Sequence, residues 1–345
     1  ENGKMKKTLS VLVLIFFIFG VCLALPKAQK KKQEGEKIIV PKEVGMVFDQ
    51  GVLTKTPRTD IPIEFVKHYF FPAQQNHVHS VFIFKMKNQD LEFQEIKLQT
   101  EKKTEKKENT QETVPVELIA DLNAFIRFYK MDKEKITGIF REVYIPFQIK
   151  KKKEEYNPEE ENFYSVGYPL PPGKYLLALA VTSIDLTKIG TIYKEFELPN
   201  PLKLKNTLLL TPIVFLKSYK RLQDVERLPT VHVNSFRYSV LEIVPKLDLN
   251  FSKTEQPDVF YFVYGARPNP KTNKYELEVT YQILKGEEAI IKFKPTVFEI
   301  PLISHPLPLK KQNKFIEPGD YTLLIKIVDK VTNASLTKKI NFTFS

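Results

Sequence analysis

Apolar and polar residues alternate with a period of two along much of the chain. In the stretch KYELEVTYQIL, at 274–284, one face carries Tyr275, Leu277, Val279, Tyr281 and Ile283. The other face carries Glu, Thr and Gln, so the stretch predicts a half-exposed antiparallel strand. The continuous apolar run at 258–266 predicts a central strand, and 77–87, 124–131 and 143–150 predict further strands in the first half.

Helical periodicity is scarce by comparison. Only short stretches such as 220–227 fit a helix. The chain has 24 Pro, 26 Phe and 15 Tyr among 345 residues, and its predicted strands follow one another at short spacing. These features predict an all-β protein built from β-sandwiches.

One motif, which predicts a corner leading into a strand, occurs twice in the sequence, as LPPGKYLLALAV at 170–181 and as IEPGDYTLLIKIV at 316–328. A constant offset of 146 positions relates the two copies. It aligns two sets of corner residues: Pro172, Gly173 and Tyr175 with Pro318, Gly319 and Tyr321. The same offset aligns Phe196 with Phe342. The repeat predicts two sandwiches that close with the same hairpin.

The corner residues have separate physical roles. Proline fixes φ and ends the preceding connection, and glycine tolerates a tight turn. The tyrosine starts a strand, where it can bury its ring and return its hydroxyl to nearby backbone, as in immunoglobulin-like sandwiches. The alternative is a tyrosine that only packs. We therefore expect two immunoglobulin-like antiparallel β-sandwich domains in tandem, after an N-terminal signal segment.

The chain divides at two shifts in composition. We expect a signal peptide at 1–24, a polar linker at 25–46 and a first sandwich at 47–198. A short proline-containing linker at 199–205 precedes the second sandwich at 206–345. Each sandwich has the usual size of one domain.

The first residues have the layout of a secretory signal. Three lysines precede an apolar run from Leu9 to Leu23, and a small-x-small pattern ends at Ala24. The expected mature N-terminus is near Leu25. An uncleaved anchor and a lipoprotein acylated at Cys22 are the alternatives, and either would bring the protein to a membrane. We expect export to the periplasm or cell surface.

Cys22 is the only cysteine. Cleavage of the signal would remove it, and with it any disulfide, thiol nucleophile or zinc–cysteine site. An exported protein of this size without disulfides is typical of a bacterial envelope.

The formal net charge is +12, concentrated in lysine runs such as 101–108 and 150–155. Glutamates interrupt both runs, which favours solvated loop tips. The functional alternative is that these Lys-rich loops bind an anionic surface. The runs lack interleaved aromatic residues, so we expect no nucleic-acid partner.

The segment 164–201, with its PPGKY corner, KIG turn and FELP strand end, is followed by LLLTPIVFL at 208–216. Together these stretches resemble the β-sandwich region of acidobacterial GWxTD and VWA-related proteins. The resemblance extends over 160–345 and implies an envelope β-sandwich protein without implying a reaction. The chain has no Trp, so the GWxTD motif itself is absent.

Motifs for catalysis are absent from the sequence: it has no GxSxG, HExxH, P-loop or GxGxxG. His77 and His79 have a spacing known from metal pairs, with His68 as the nearest third ligand. The alternative is polar side chains at a strand entry. The acidic stretch 154–162 is interpreted as a solvated loop rather than a glycosidase acid pair.

These observations predict a non-enzymatic periplasmic or cell-surface protein without a cofactor. Its partner would be an unidentified protein or an envelope polymer. The alternative function is a carbohydrate-binding or adhesive module, which the lack of Trp disfavours.

Overall fold

The computed structural model describes residues 40–97, 116–204 and 207–345. The predicted signal, most of the predicted polar linker and the lysine run at 101–108 lie outside the described residues. The fold is all-β, as predicted, and its sheets are antiparallel apart from one short parallel strand pair. The described part has one α-helix, α1 (Lys42–Thr54), and three short 3-10 turns (Asn88–Asp90, Lys153–Glu155 and Pro201–Lys203).

Eight strands precede the predicted linker at 199–205. They are β1 (Glu64–Pro72), β2 (Val78–Lys87), β3 (Gln94–Lys97), β4 (Val116–Asp132), β5 (Lys135–Lys152), β6 (Glu161–Leu170), β7 (Gly173–Ser183) and β8 (Ile189–Leu198).

Fifteen strands follow the linker, several of them short. They are β9 (Leu209–Leu210), β10 (Val214–Arg221), β11 (Val231–Val233), β12 (Phe236–Tyr238), β13 (Leu241–Lys246), β14 (Asn250–Phe251), β15 (Asp258–Tyr264), β16 (Leu277–Lys285), β17 (Glu288–Lys292), β18 (Thr296–Phe298), β19 (Leu302–Pro306), β20 (Lys310–Lys311), β21 (Lys314–Phe315), β22 (Gly319–Asp329) and β23 (Ser335–Phe344). The expected helix at 220–227 is wrong, because β10 continues to Arg221 and irregular backbone follows.

Four main sheets account for most of these strands. Sheet 1 holds β3, β4, β5, β7 and β8, and sheet 2 holds β1, β2, β6 and β11. Sheet 3 holds β9, β10, β12, β13, β15 and β19, and sheet 4 holds β14, β16, β17, β18, β22 and β23. Strands β20 and β21 form a separate small ribbon.

The four sheets are stacked as layers. One apolar core lies between sheets 1 and 2, with Phe82 and Phe128 from its two sides. Another lies between sheets 3 and 4, with Tyr261 and Ile325. A middle core joins sheet 2 to sheet 3, so each inner sheet is buried on both faces.

The two halves share one strand order. Sheet 2 contains the order β1-β2-β6, and sheet 3 contains β10-β15-β19. Sheet 1 contains β5-β4-β7-β8, and sheet 4 contains β17-β16-β22-β23. Counted along the chain, each half has seven of these matching strands. The first, second and fifth lie in one sheet, and the other four lie in the other sheet. The more specific immunoglobulin-like assignment stays a prediction.

One strand crosses the predicted domain boundary. β11 follows the linker in sequence, yet it pairs with β6 and so completes sheet 2 of the first half. Tyr69 and Phe71 of the first half also share the middle core with Phe236 and Phe260 of the second. The boundary at 199–205 stays a prediction, but the two halves are joined by backbone pairing as well as by apolar packing.

Helix α1 lies on the outer face of sheet 1 and was not predicted. Its buried positions Val44, Phe48 and Gly51 recur at helical spacing. They pack on Ala178 and Ala180 of β7, whose small side chains admit the helix. At Gly51 a Cβ atom would lie 2.0 Å from the Tyr193 hydroxyl, so the close approach requires glycine.

A buried arginine fixes this helix. Arg127 of β4 donates from Nε to Glu142 at 2.7 Å and from Nη1 to Asp49 of α1 at 2.9 Å. Tyr129 donates its hydroxyl to the same Asp49 at 3.0 Å. Burial is the main cause that raises the pKa of Tyr129 to about 12. Because a buried guanidinium must be paired, the helix and sheet 1 are held in one arrangement.

Candidate functional site

The three histidines proposed as metal ligands do not meet. His68 lies on the face of sheet 2 that packs towards sheet 1, where it stacks on Phe82 with ring centroids 4.7 Å apart. His79 lies on the opposite face and its Nε2 is 3.2 Å from the Arg237 carbonyl oxygen. Strand register puts His68 opposite Phe82 and His79 opposite Phe71, and neighbouring register positions point to opposite faces.

The choice of His68 as third ligand to His77 and His79 is therefore wrong, because side chains on opposite faces of one strand pair cannot share an ion. Some of the His68 side chain reaches solvent, but its Nε2 is buried without a hydrogen-bond partner in the described residues. Desolvation lowers its pKa to about 3, with a smaller effect from Lys194. Within the described ranges, no cluster of three His, Cys, Asp or Glu residues has the arrangement of a metal site.

The two corners have the same hydrogen bond in the structure. Tyr175 donates its hydroxyl to the Pro171 carbonyl at 3.0 Å, and Tyr321 donates to the Glu317 carbonyl at 2.6 Å. Each tyrosine also pairs with the phenylalanine that the sequence offset assigns to it, Phe196 or Phe342. The remaining corner residues precede or begin β7 and β22: Pro172, Gly173, Pro318 and Gly319. These residues are structural, since the hydroxyls are used by backbone within the same corner.

Only the second half of the lysine run at 150–155 lies in the turn expected from the sequence. Lys150 to Lys152 complete β5 and pair with β4, and a 3-10 turn follows. Lys151 forms an ion pair with Glu160 at 2.5 Å, and this hydrogen bond is the main cause that lowers the pKa of Glu160. The acidic stretch 154–162 is likewise paired, because Glu159 and Glu161 bind lysines of β2. The structure thus uses these charges to join β5 and β6 to neighbouring strands.

A surface that the sequence analysis missed lies along the outer edge of β5. We call residues 135–145 the β5 edge. β5 hydrogen bonds to β4 on one side, and no other strand in the described residues pairs with it. Its row of N–H and C=O groups on the far side is therefore open to an added strand.

The β5 edge also carries apolar side chains in solvent. Ile136, Ile139 and Phe140 are 37%, 53% and 42% exposed. The Phe140 ring meets the edge of the Tyr175 ring, with centroids 5.6 Å apart, so it is partly held in place. Exposed apolar side chains on an unpaired strand edge are typical of surfaces that pair with another polypeptide.

Local sequence explains where this edge ends. Pro146 lies within β5 opposite Asn123, and proline has no N–H to offer a further strand. The lysines at 150–152 protect the remainder of the edge, as charged side chains do in many sheets. The alternation at 135–141 is imperfect because the β4–β5 pairing shifts register twice, so pattern analysis placed the strand start only at 143.

Two further findings bear on the kind of protein. None of the helices in the described ranges combines the length and apolar character needed for a membrane crossing. Comparisons with known protein families and with curated proteins found no match.

Proposed function

We propose that this protein is a non-enzymatic binding protein whose β5 edge pairs with an extended segment of a protein partner. The observation that carries the proposal is an unpaired strand edge bearing three exposed apolar side chains. Strand addition derives affinity from main-chain hydrogen bonds and specificity from alternate side chains. The edge offers both between Lys135 and Ile145.

The charges on β5 favour an acidic partner segment. The exposed charged residues of the strand are Lys135, Arg141, Lys150 and Lys152. The strand's single carboxylate, Glu142, is already bound by Arg127. An acidic residue opposite Lys135 or Arg141 would be attracted, whereas a basic one would be repelled.

The alternative of a carbohydrate-binding module gains no support from the surface. Sugar platforms display several aromatic rings side by side. In the described residues the most exposed aromatics are Phe140 on sheet 1 and Tyr219 on sheet 3, at 42% and 41%. Two rings on separate sheets do not make a platform.

The proposal includes export to the periplasm or cell surface, with the segment 1–24 as its signal. It also includes kinship with the acidobacterial envelope proteins that 160–345 resembles. Both rest on sequence patterns alone. Mass spectrometry of the mature protein tests the first, since an N-terminus near Leu25 supports cleavage and an acylated Cys22 supports membrane attachment.

The central experiment places a photo-crosslinking amino acid at Ile139 and, as a matched control, at Leu53 of α1. Leu53 is a similarly apolar and more exposed side chain, 84% against 53% for Ile139, on a helix, which offers no strand edge. In cells of the native host, we expect one discrete partner adduct from position 139 and none from position 53. Equal adducts at both positions, or none at either, would refute the proposal.

A second variant separates binding from folding. Ile139→Glu adds a negative charge to the edge, which would repel an acidic partner segment, and should reduce the adduct formed from a crosslinker at Ile136 at least tenfold. Ile139→Val should leave that adduct unchanged. Because Ile139 is exposed, neither change should alter the free energy of unfolding by more than about 0.5 kcal/mol.

A further inference from the structure

A cleft lies where the two halves meet, away from the β5 edge. Three segments form it: the turn between β1 and β2, the linker at 201–204, and the end of β15 with the loop after it. Its volume is about 460 Å³. Clefts of roughly 300–1,000 Å³ at the junction of domains are where small-molecule sites are usually found.

The inner part of the cleft is apolar. Phe262 and Tyr264 at the end of β15 line it from sheet 3, and Leu202 and Leu204 line it from the linker. Tyr264 is buried, and its hydroxyl has no hydrogen-bond partner among the described residues.

The polar side chains that line the cleft carry either a positive charge or no charge. Arg267 lines the cleft, and no hydrogen bond or ion pair within the described residues engages its guanidinium. His77 also lines it, with Nδ1 3.0 Å from the Gln75 carbonyl, so Nδ1 carries the proton and an imidazole with that single proton offers Nε2 only as an acceptor. The lining residues include no aspartate or glutamate.

Local structure holds Arg267 in position. Gly265 has φ +82°, and a Cβ there would lie 2.1 Å from the Thr207 carbonyl oxygen, so only glycine lets the linker pass β15. The buried Asp329 then accepts the Arg267 backbone N–H at 3.2 Å and the Thr332 hydroxyl at 2.8 Å. Asp329 also accepts the Val331 N–H, so both of its oxygens are bound by backbone and hydroxyl groups, and neither is bound by the Arg267 guanidinium.

We propose that this cleft binds a small carboxylate with an apolar body. The carboxylate would meet the Arg267 guanidinium, and the body would occupy the pocket lined by Phe262 and Leu204. A guanidinium is well suited to a carboxylate because its N–H groups match the two oxygens. Attraction between this guanidinium and a carboxylate gives the cleft its preference for anions over cations.

The probe is 4-phenylbutyrate, with its uncharged amide as the matched control ligand. Calorimetric titration of the full chain should show binding of the acid with at least tenfold preference over the amide, because a hydrogen bond to a charged group contributes about that ratio. Binding should weaken as salt rises. Equal binding of acid and amide, or no binding of the acid up to about 10 mM, would overturn the proposal.

Two charge-removing variants locate the site. Arg267→Gln should weaken binding of 4-phenylbutyrate at least tenfold. Lys271→Gln removes an exposed charge from the same loop outside the cleft and should leave binding unchanged. Equal effects of the two variants would show a diffuse charge effect and refute the assigned site. Ile139→Glu should not alter this binding, so the cleft and the β5 edge are tested separately.

Discussion

Sheets 1 and 4 lie at the two ends of the stack. They have the same strand order, but they differ in what covers their outward-facing sides. On sheet 1 the outward positions of β7 and β8 include Ala178, Ala180 and Tyr193, which lie beneath α1. Register and the offset of 146 make Leu324, Lys326 and Lys339 their equivalents on sheet 4. There the two lysines are exposed, and no helix covers them among the described residues. The same strand arrangement is thus covered by a helix in one sheet and exposed to solvent in the other, depending on a few outward-facing side chains.

The inward faces differ far less. Tyr175 and Tyr321 form the same bond to the carbonyl four residues earlier, and each lies beneath a lysine ammonium, Lys130 or Lys285, at 4.3 and 5.9 Å from the ring centroid. Inward positions are fixed by the facing sheet, which both halves require. Outward positions are free to diverge, because the sandwich closes without them.

The largest predicted effect comes from exchanging outward residues at equivalent positions. Ala180→Lys places a charge beneath α1 with no carboxylate assigned to it, and should lower the free energy of unfolding by about 3 kcal/mol or more. Lys326→Ala, its counterpart on sheet 4, should change it by less than about 0.5 kcal/mol. Urea unfolding measures both, and amide exchange in α1 should report release of the helix in the first variant. Similar costs at the two positions would show that the faces do not differ as described.

The next effect compares one stacked histidine from each half. His68 stacks on Phe82, and His305 stacks on Tyr281 with ring centroids 4.8 Å apart. Burial lowers the pKa of both, that of His68 to about 3. Because the unfolded chain takes up a proton at its ordinary pKa of 6.5, stability should fall as the pH drops below 6.5.

For His68 this loss amounts to at most about 2 kcal/mol between pH 7 and pH 5, given 1.36 kcal/mol per pH unit. His68→Phe should remove most of that slope in urea unfolding measured at several pH values. His305→Phe should remove less of it, because His305 is less buried. A pH dependence that survives in His68→Phe would show that His68 does not cause it.

The smallest predicted effect tests whether the two corners depend equally on their tyrosine hydroxyls. Tyr175→Phe and Tyr321→Phe each remove one hydroxyl-to-carbonyl bond and should each cost about 1 kcal/mol. The two sites lie in separate cores, so the double variant should cost the sum of the single variants. Urea unfolding again provides the measurement. A cost confined to one tyrosine would mean that only one corner depends on its hydroxyl.

Much of this fold could be predicted from alternation and from the repeat. The strands around Tyr175 and Tyr321 were foreseen because inward residues alternate cleanly when one face is buried. Helix α1 escaped prediction because its contact face is short and includes two glycines, which lower helix propensity in any single-sequence assessment. Its partners Ala178 and Ala180 look like ordinary strand residues until the helix is seen on them.

The candidate surfaces were less predictable than the fold. Arg267 and His77 are 190 residues apart in sequence, and only the meeting of the two halves brings them to one cleft. The open edge of β5 depends on which strand has no neighbour, a property of sheet order rather than of local pattern. The error was the opposite for His68 and His79. They are close in sequence, which suggested that they could share a metal ion, but their side chains lie on opposite faces of one sheet.

The position of α1 has a mechanical consequence. The helix is the first described element, and it is attached to the outside of sheet 1 by the small cluster around Phe48 and by Arg127. Tension applied through the residues before Val40 would peel this helix before it loads any sheet. Its 13 residues would lengthen from about 1.5 to about 3.4 Å each, which releases roughly 25 Å of chain. A chain pulled at that end would therefore first extend by unfolding α1, while the four sheets stay intact.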